Sequence, residues 1–398
     1  MFWIIQSLRI IPELIRRMLP IPSPDALAHS QRVTAHLQSL IQQAGGWISF
    51  AQFMEAALYA PGLGYYASGA MKFGAAGDFV TAPELTPLFG RTLAHAIAPV
   101  LLETGSEILE LGAGSGRLAL DVLGELAQLD ALPARYCILE VSADLRARQQ
   151  ERIARELPGF ARRVQWLDAL PTEFSGVILG NEVLDALPVE LVHWTQAGPQ
   201  VRGVGLDGEH FAWQDHPIDN SILRARADAL NLAPGYLSEI NLAADALIAS
   251  LAHSLEQGLI LLIDYGFGAS EYYHPQRHMG TLRAHYRHHA LDDPFYLPGL
   301  CDLTAHVDFS ALARAGMAAG LDLAGYTSQA SFLLHSGLTE LLMQTSVTDA
   351  ASYLPQANAV QRLVSPAEMG ELFKVMGLSK GAIAPLAGFA RGDRRHTL

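Results

Sequence analysis

Glu110-Leu111-Gly112-Ala113-Gly114-Ser115-Gly116 ends a short apolar run and opens a helix-length amphipathic stretch. Glycines at such a junction let the backbone turn sharply and approach a ligand closely, where side chains would collide with it. The same turn also occurs as a plain strand-to-helix connection, so the acids that follow it matter. Glu140 ends the next apolar run, 26 residues beyond Gly114. A carboxylate there can accept both hydroxyl hydrogens of a ribose, although a solvated strand-end glutamate would look the same. Asp168 closes a third run, Gln165–Leu167, and could take the exocyclic amine of an adenine with Trp166 or Leu167 beside the ring. Together the spacing fits an adenosine ligand on the carboxyl edge of a sheet. A dinucleotide fingerprint would want its third glycine one residue further on, and Glu110 would repel a pyrophosphate. An acid before the turn better suits a ligand carrying an ammonium or sulfonium cation, and S-adenosyl-L-methionine carries both. The residues therefore favour methyl transfer over hydride transfer.

Such residues work only if strand ends bring them together. From Glu107 onward, short β-type apolar runs alternate with longer amphipathic stretches, which reads as βαβ units and a mostly parallel, doubly wound α/β sheet. Three runs, Val189–Trp194, Val201–Leu206 and His210–Trp213, are separated by turn signals and read as an antiparallel meander. A helix over 241–256 should lead to an apolar strand over 259–264. A long Tyr/His/Arg-rich loop then runs to about Asp302, and two last strands are expected near 322–327 and 381–390. The domain reading is an N-terminal extension with a Pro-rich linker (1–30), a helical cap with a Gly-rich lid (31–105) and a core (106–398). The core carries insertions around 189–240 and 266–302.

Composition narrows the function. Half of the 398 residues are apolar and 17% are charged, which supports a buried core and excludes disorder. Forty acids against 27 Lys plus Arg leave 40 − 27 = 13 net negative charges. A protein that grips a phosphate backbone shows the opposite balance, so no nucleic-acid partner is expected. Cys137 and Cys301, the only cysteines, stand in no metal-ligand spacing. No apolar run approaches the roughly 18 to 20 residues that span a bilayer. The apolar, basic segment 1–17 has Glu13 as its one acid and reads as an upstream extension of a chain that could equally start at Met18, or as a targeting or interfacial helix. The bacterial cytoplasm is the expected location, with the mitochondrial matrix as the alternative.

Several further blocks occur in a fixed order. They include Leu58-Tyr59-Ala60-Pro61 with Gly64-Tyr65-Tyr66, Gly77-Asp78-Phe79-Val80-Thr81-Ala82-Pro83-Glu84, the glycine turn, and Glu140-Val141-Ser142 with Gln149. Asn181-Glu182-Val183-Leu184-Asp185-Ala186-Leu187-Pro188, Ile263-Asp264-Tyr265-Gly266 and Asp302-Leu303-Thr304-Ala305-His306-Val307-Asp308-Phe309 follow. With these blocks the chain resembles the mitochondrial dysfunction protein A family over residues 46–390. The mitochondrial member of that family is a complex I assembly factor with protein arginine methyltransferase activity. The resemblance implies a class I, S-adenosyl-L-methionine-dependent methyltransferase with a Rossmann-like sheet, an N-terminal helical cap and inserted antiparallel strands.

For an arginine acceptor, paired carboxylates are the natural clamp on a planar, always charged guanidinium. Glu182 and Asp185, three apart on an expected first helical turn, can face one side, with Asn181 beside them. Glu182 would hold the guanidinium and Asp185 would be its second partner or accept the released proton. The bland alternative is a helix N-terminus capped by Asn181, with the acids favouring its dipole. The resemblance further implies that Asp78 and Thr81 are lid contacts to the cofactor, with Glu84 toward the substrate. Thr81 and Glu84 also fit a capping box. His306 and Asp308 could line the acceptor channel or form a buried structural pair. The five histidines between His274 and His289, with Arg277, Arg283 and Arg287, read as a basic loop and not a metal site. The expected partner is a protein with an exposed arginine. A non-catalytic assembly chaperone that keeps the cofactor pocket and a small-molecule methyltransferase are the alternatives.

Overall fold

The structure, a computed structural model, describes residues 19–68, 81–346 and 349–398. The segment 1–17, Asp78 and the lid glycines Gly69, Gly74 and Gly77 lie outside the described residues.

The chain enters through the helix Pro24–Gln43, a three-residue strand β1 (Trp47–Ser49) and the helix Phe50–Tyr59. Ser49 starts the latter through a capping box with Gln52. The helix Pro87–Glu103 then precedes four strands, β2 (Glu107–Leu111), β3 (Arg135–Leu139), β4 (Val164–Leu167) and β5 (Phe174–Asn181). Helices Arg117–Gln128 and Ala143–Glu156 join the first three of these. β6 (Glu190–Thr195), β7 (Gly198–Asp207), β8 (His210–Pro217) and β9 (Leu237–Ile240) come next, followed by the helix Leu242–Ser254 and the long β10 (Leu255–Phe267). Beyond it lie β11 (Arg283–Tyr286), β12 (His289–Leu291), β13 (Asp302–Thr304), β14 (Val307–Asp308), β15 (Asp322–Ser328) and β16 (Phe373–Lys380).

The central sheet runs β15-β16-β10-β5-β2-β3-β4, with β14 paired to β10. β4, β3, β2, β5 and β10 are parallel to their neighbours, and β16 runs antiparallel between β10 and β15. This is the mostly parallel, doubly wound α/β sheet the sequence predicts. Its order reverses between β2 and β5, and a switch point opens a crevice at the carboxyl strand ends. Strand periodicity builds the two layers. Ile108, Ile138, Val177, Leu259 and Leu261 join one core with Leu93, Ile97, Leu118 and Val122 of the flanking helices. Leu109, Cys137, Ile178, Ile260 and Leu262 turn to the other face, against Ile248, Leu251, Phe309 and Leu312.

The meander does not extend this sheet. β1-β7-β6-β9, with β8 on β7, form a separate five-stranded sheet that recruits its edge strand from the N-terminal region. Its inner face packs with the N-terminal helices through Val33, Leu37, Phe53, Leu58, Leu191 and Val204. The expected long loop holds structure as well. β12-β11-β13 make a small sheet, and Arg287 and His288 adopt left-handed φ values of 47° and 67° in a tight hairpin turn. The last strand is Phe373–Lys380 and not 381–390. Both edges of β16 are paired, a place that Pro385 could not occupy for want of an N–H. The buried Lys374 obscures the apolar run in the sequence.

Three strands approach most closely where β5 begins. Gly176 pairs with Glu107 on one side and Gly258 on the other, at φ +144°. A Cβ on Gly176 would stand 2.0 Å from the Glu107 carbonyl oxygen. Gly176→Ala is therefore expected to cost about 2–4 kcal/mol, read as a lower midpoint in chemical denaturation. An unchanged midpoint would show that the sheet can shift to accept a methyl group.

Candidate active site

The crevice at the switch point is a partly open cleft with a cavity volume of about 280 Å³. The turn after β2 forms its floor. Gly112, Gly114 and Gly116 all hold left-handed φ, at 60°, 52° and 78°, a run that side chains with a Cβ resist. Ser115 donates to Glu84 and accepts from Arg152 Nη1 at 2.8 Å, while Arg152 lies 3.7 Å from Glu84. The turn is thereby tied to the short helix Ala82–Leu85.

Glu140 sits buried at the end of β3. Its Oε1 accepts from Ser142 N at 2.9 Å and its Oε2 from Gln149 Nε2 at 3.1 Å. The same Gln149 amide donates to Gly114 O at 2.9 Å, and Trp166 Nε1 donates to Gln149 Oε1 at 2.9 Å. A carboxylate offers about four lone-pair sites, so each oxygen keeps capacity toward the cleft. Burial pushes its carboxyl above the usual range, while these donors work the other way. Glu110 reaches the cleft from β2 and accepts from Tyr136 Oη at 2.8 Å. Burial, with a smaller push from Glu140, raises Glu110 to about 7, so a cation arriving beside it would gain a full anion.

The strand β5 ends in the second half of the site. The expected helix over 182–185 is absent, and residues 182–187 form bends around one turn at 185–186. Glu182 takes a left-handed φ of 53°, and its N–H bonds Ile263 O at 2.9 Å. The physical reason is a neighbouring carboxylate. Asp264 Oδ2 accepts from Leu184 N at 2.9 Å and Asp185 N at 3.2 Å, holding the backbone in a turn that a helix could not reproduce. Asn181 therefore caps no helix; its Nδ2 donates to Glu182 Oε1 at 3.1 Å. Asp185 Oδ2 accepts from Tyr265 Oη at 2.6 Å. Asn181 Oδ1 and Asp185 Oδ1 are buried without a hydrogen-bond partner among the described residues. Burial and then the neighbouring Asp185 push Glu182 up to about 7. Burial raises Asp185 to about 6, against the pull of the Tyr265 hydroxyl. Buried acceptors with no donor mark a place where a donor-rich, positively charged group fits.

Other candidates scatter around this centre. Thr81 and Glu84 line the cleft, and Asp78 lies outside the described residues. Thr81 precedes the short helix Ala82–Leu85 without a side-chain cap, and Glu84 turns instead to Ser115, so no capping box forms. Gly116 supports the turn from below, against Gln149. Asp168 stands in a neighbouring hollow that shares Leu139, Glu140 and Val141 with the cleft. Its side chain is 89% exposed and pairs with Arg146 at 2.8 Å, which leaves it free to swing toward a ligand only by giving up that contact. Asp308 caps the helix Phe309–Ala318 through Ala311 N and accepts from Tyr273. His306 lies edge-on to Tyr265, ring centroids 5.1 Å apart, with Nδ1 buried and without a partner among the described residues. Burial, helped by Arg277, Arg283 and Lys374, lowers it to about 4, so it is neutral. Neither lines the cleft itself. Among the described residues no group of three His, Cys, Asp or Glu is placed to hold a metal ion, and four histidines of the 274–289 region, His274, His278, His288 and His289, are exposed.

Tyr59, Tyr66, Asp264, Tyr265 and Gln149 were missed as candidates, although each lies in a motif block. Tyr59 and Tyr66 line the cleft, and the others position its acids. No helix among the described residues is long and apolar enough to cross a membrane.

The residues present fit S-adenosyl-L-methionine. A left-handed glycine turn, a ribose-competent Glu140, the apolar Leu139, Val141 and Leu145, and the buried acid Glu110 converge on one cleft. Comparison with known proteins agrees. A family described as S-adenosyl-L-methionine-dependent methyltransferase matches residues 92–327. A crystal structure of a Burkholderia thailandensis protein bound to S-adenosyl-homocysteine is 51% identical, covers 96% of this chain and 100% of its own, and superposes with a TM-score of 0.93. A native crystal structure from the same organism is 50% identical over 96% and 100% of the two chains, with a TM-score of 0.89. The zebrafish (Danio rerio) protein named protein arginine methyltransferase NDUFAF7, mitochondrial, is 28% identical over 90% of this chain and 92% of its own. The human protein of that name is also 28% identical, over 86% and 82%.

Proposed function

The chain belongs to the family of S-adenosyl-L-methionine-dependent methyltransferases, and from that premise we propose that it methylates an arginine side chain of a protein substrate. The observation that carries the proposal is a pair of buried oxygens without donors among the described residues, Asn181 Oδ1 and Asp185 Oδ1, beside the half-buried Glu182 carboxylate at the end of β5, where Asn181 and Glu182 line the cleft. A guanidinium has five N–H donors in a fixed plane and no acceptor, so it complements such a cluster. The names of the 28% identical relatives support the same acceptor.

The bound cofactor supplies an electrophilic methyl group on a sulfonium. Glu110, Glu140 and the Gly112–Gly116 turn would hold it. Glu182 orients the guanidinium and, through the added cation, returns from a near-neutral carboxyl to an anion. Asp185, with one oxygen fixed by Tyr265, receives the proton that the attacking nitrogen sheds once the new N–C bond forms. Thr81 and Pro83, which line the cleft, help exclude water, which keeps these charges strong.

The hydroxyl of Tyr265 stabilises the ionised form of Asp185. Removing it raises the pKa of Asp185, and the anion needed for the guanidinium then exists only at higher pH. Tyr265→Phe is expected to move the acid limb of the kcat/KM profile upward by about one pH unit. A limb that stays in place while kcat falls would assign Tyr265 a packing role.

Labelled methyl donor incubated with cell lysate tests the proposal. Wild-type protein should label one or more proteins at arginine, identified by mass spectrometry, and Glu140→Ala should label none. Label only on a small molecule or on another residue type would refute it. So would no label at all, with a protein partner captured instead. We assign the enzyme to a bacterial cytoplasm, a reading supported by Burkholderia relatives that are 51% and 50% identical against 28% for the mitochondrial zebrafish and human proteins.

A further inference from the structure

Two tyrosines outside the methyltransferase sheet form one wall of the cleft. Tyr59 ends the helix Phe50–Tyr59, and the chain then folds straight back on it. Gly64 N bonds Ala60 O at 2.7 Å, Tyr65 N bonds Ala57 O at 2.9 Å, and Tyr66 N bonds Leu58 O at 2.8 Å. This return lays Tyr66 beside Tyr59, ring centroids 5.5 Å apart and 21° from parallel. Each hydroxyl is tied down at the rim. Tyr59 Oη donates to Ala186 O at 3.0 Å, next to Asp185, and Tyr66 Oη donates to Asp302 Oδ2 at 2.8 Å. With both hydroxyls engaged, Tyr59 and Tyr66 line the same cleft as Asn181 and Glu182. Burial, with Asp302 and Asp185 nearby, raises both phenols, so the rings stay neutral.

We infer that Tyr59 and Tyr66 form the acceptor-side face of the site and select a guanidinium over an ammonium, an inference that rests on the arginine reading above. The acids alone attract any cation. A guanidinium is planar and weakly hydrated on its faces, so it can stack on a fixed ring while its edge bonds the carboxylates. A lysine ammonium is compact and strongly hydrated, and it loses water against the same rings. The anchoring of Tyr59 to the 181–187 turn assigns the wall to the acceptor and not to the sulfonium donor.

Calorimetry on the full chain saturated with S-adenosyl-homocysteine tests this with acetyl-Gly-Gly-Arg-Gly-Gly-amide and the matching lysine peptide. Wild type should bind the arginine peptide about tenfold or more tightly than the lysine peptide. Tyr59→Leu and Tyr66→Leu should each weaken the arginine peptide by about five- to thirtyfold and leave S-adenosyl-homocysteine affinity within about twofold, whereas Tyr59→Phe, which keeps the ring but loses the anchor to Ala186 O, should weaken it less than Tyr59→Leu. Retained S-adenosyl-homocysteine affinity also reports that the variants fold. Equal affinity for the two peptides, leucine variants that bind like wild type, or a parallel loss of S-adenosyl-homocysteine would overturn the inference. Wild type that binds the arginine peptide selectively yet methylates no arginine would sink the proposed activity and leave the wall standing. Arginine methylation with unaffected leucine variants would do the reverse.

Discussion

Glu182→Gln is expected to lower kcat for the arginine acceptor by about 100- to 1000-fold, with the affinity for S-adenosyl-L-methionine within about threefold of wild type. The substitution keeps volume and one acceptor oxygen but removes the charge. Glu182 faces the cleft from a left-handed turn and is held by Asn181 Nδ2 at 3.1 Å and Ala82 N at 3.4 Å. A glutamine there could keep those donors while offering a guanidinium only one neutral oxygen. Charge-assisted hydrogen bonds are roughly twice as strong as neutral ones, and the gain is larger in a water-excluded cleft. Burial and Asp185 oppose the anion in the free protein, so full charge develops only with the cationic acceptor in place. That is the condition under which a group contributes more to the reacting complex than to the resting one. Steady-state kinetics with calorimetry on the same preparations checks it. Undiminished kcat in Glu182→Gln would remove Glu182 from the proposed mechanism.

The second large effect concerns the donor. Glu140→Ala is expected to weaken S-adenosyl-L-methionine binding by about 30- to 300-fold, since hydrogen bonds to a charged group contribute about 1.5–3 kcal/mol each. The loss reaches beyond the ribose. Glu140 holds Gln149, and Gln149 in turn holds Gly114 O of the glycine turn and accepts from Trp166. Deleting the carboxylate frees the amide that fixes the turn. Glu140→Gln should recover part of the affinity, because an amide oxygen can still accept. An affinity unchanged in Glu140→Ala would mean that the adenosine lies elsewhere.

The sequence discloses what is local. The glycine turn, Glu140 and the end of β5 are each written in a few consecutive residues at a strand end, and the period-2 runs of β2, β3 and β10 carry the sheet. Long-range pairing is another matter. Nothing near Trp47 announces that β1 will become the edge of a sheet built by residues beyond 190. Tyr265 and Asp185 are 80 residues apart, and Tyr59 and Ala186 are 127 apart, so their hydrogen bonds follow from the fold alone. The missing helix after Asn181 has the same origin. The local pattern of an asparagine followed by acids suits a helix start, but the Asp264 carboxylate on the adjacent strand outcompetes it for the turn's N–H groups. Asp168 shows how little a strand-end acid discloses alone, for its side chain is 89% exposed beside Arg146 in a hollow that adjoins the cleft. The acidic surplus gains partial meaning from this geometry. Glu110, Glu140 and Asp185 are buried and Glu182 is half-buried at or beside one cleft, and they are set to meet cations.

The most direct test of the proposed site is a crystal structure of the wild-type protein with S-adenosyl-homocysteine and an arginine peptide. The expected result is the guanidinium in the cleft, its N–H groups within hydrogen-bond distance of Asn181 Oδ1, Asp185 Oδ1 and Glu182, on the face lined by Tyr59 and Tyr66. An arginine ordered elsewhere, with those buried oxygens still lacking donors, would contradict it.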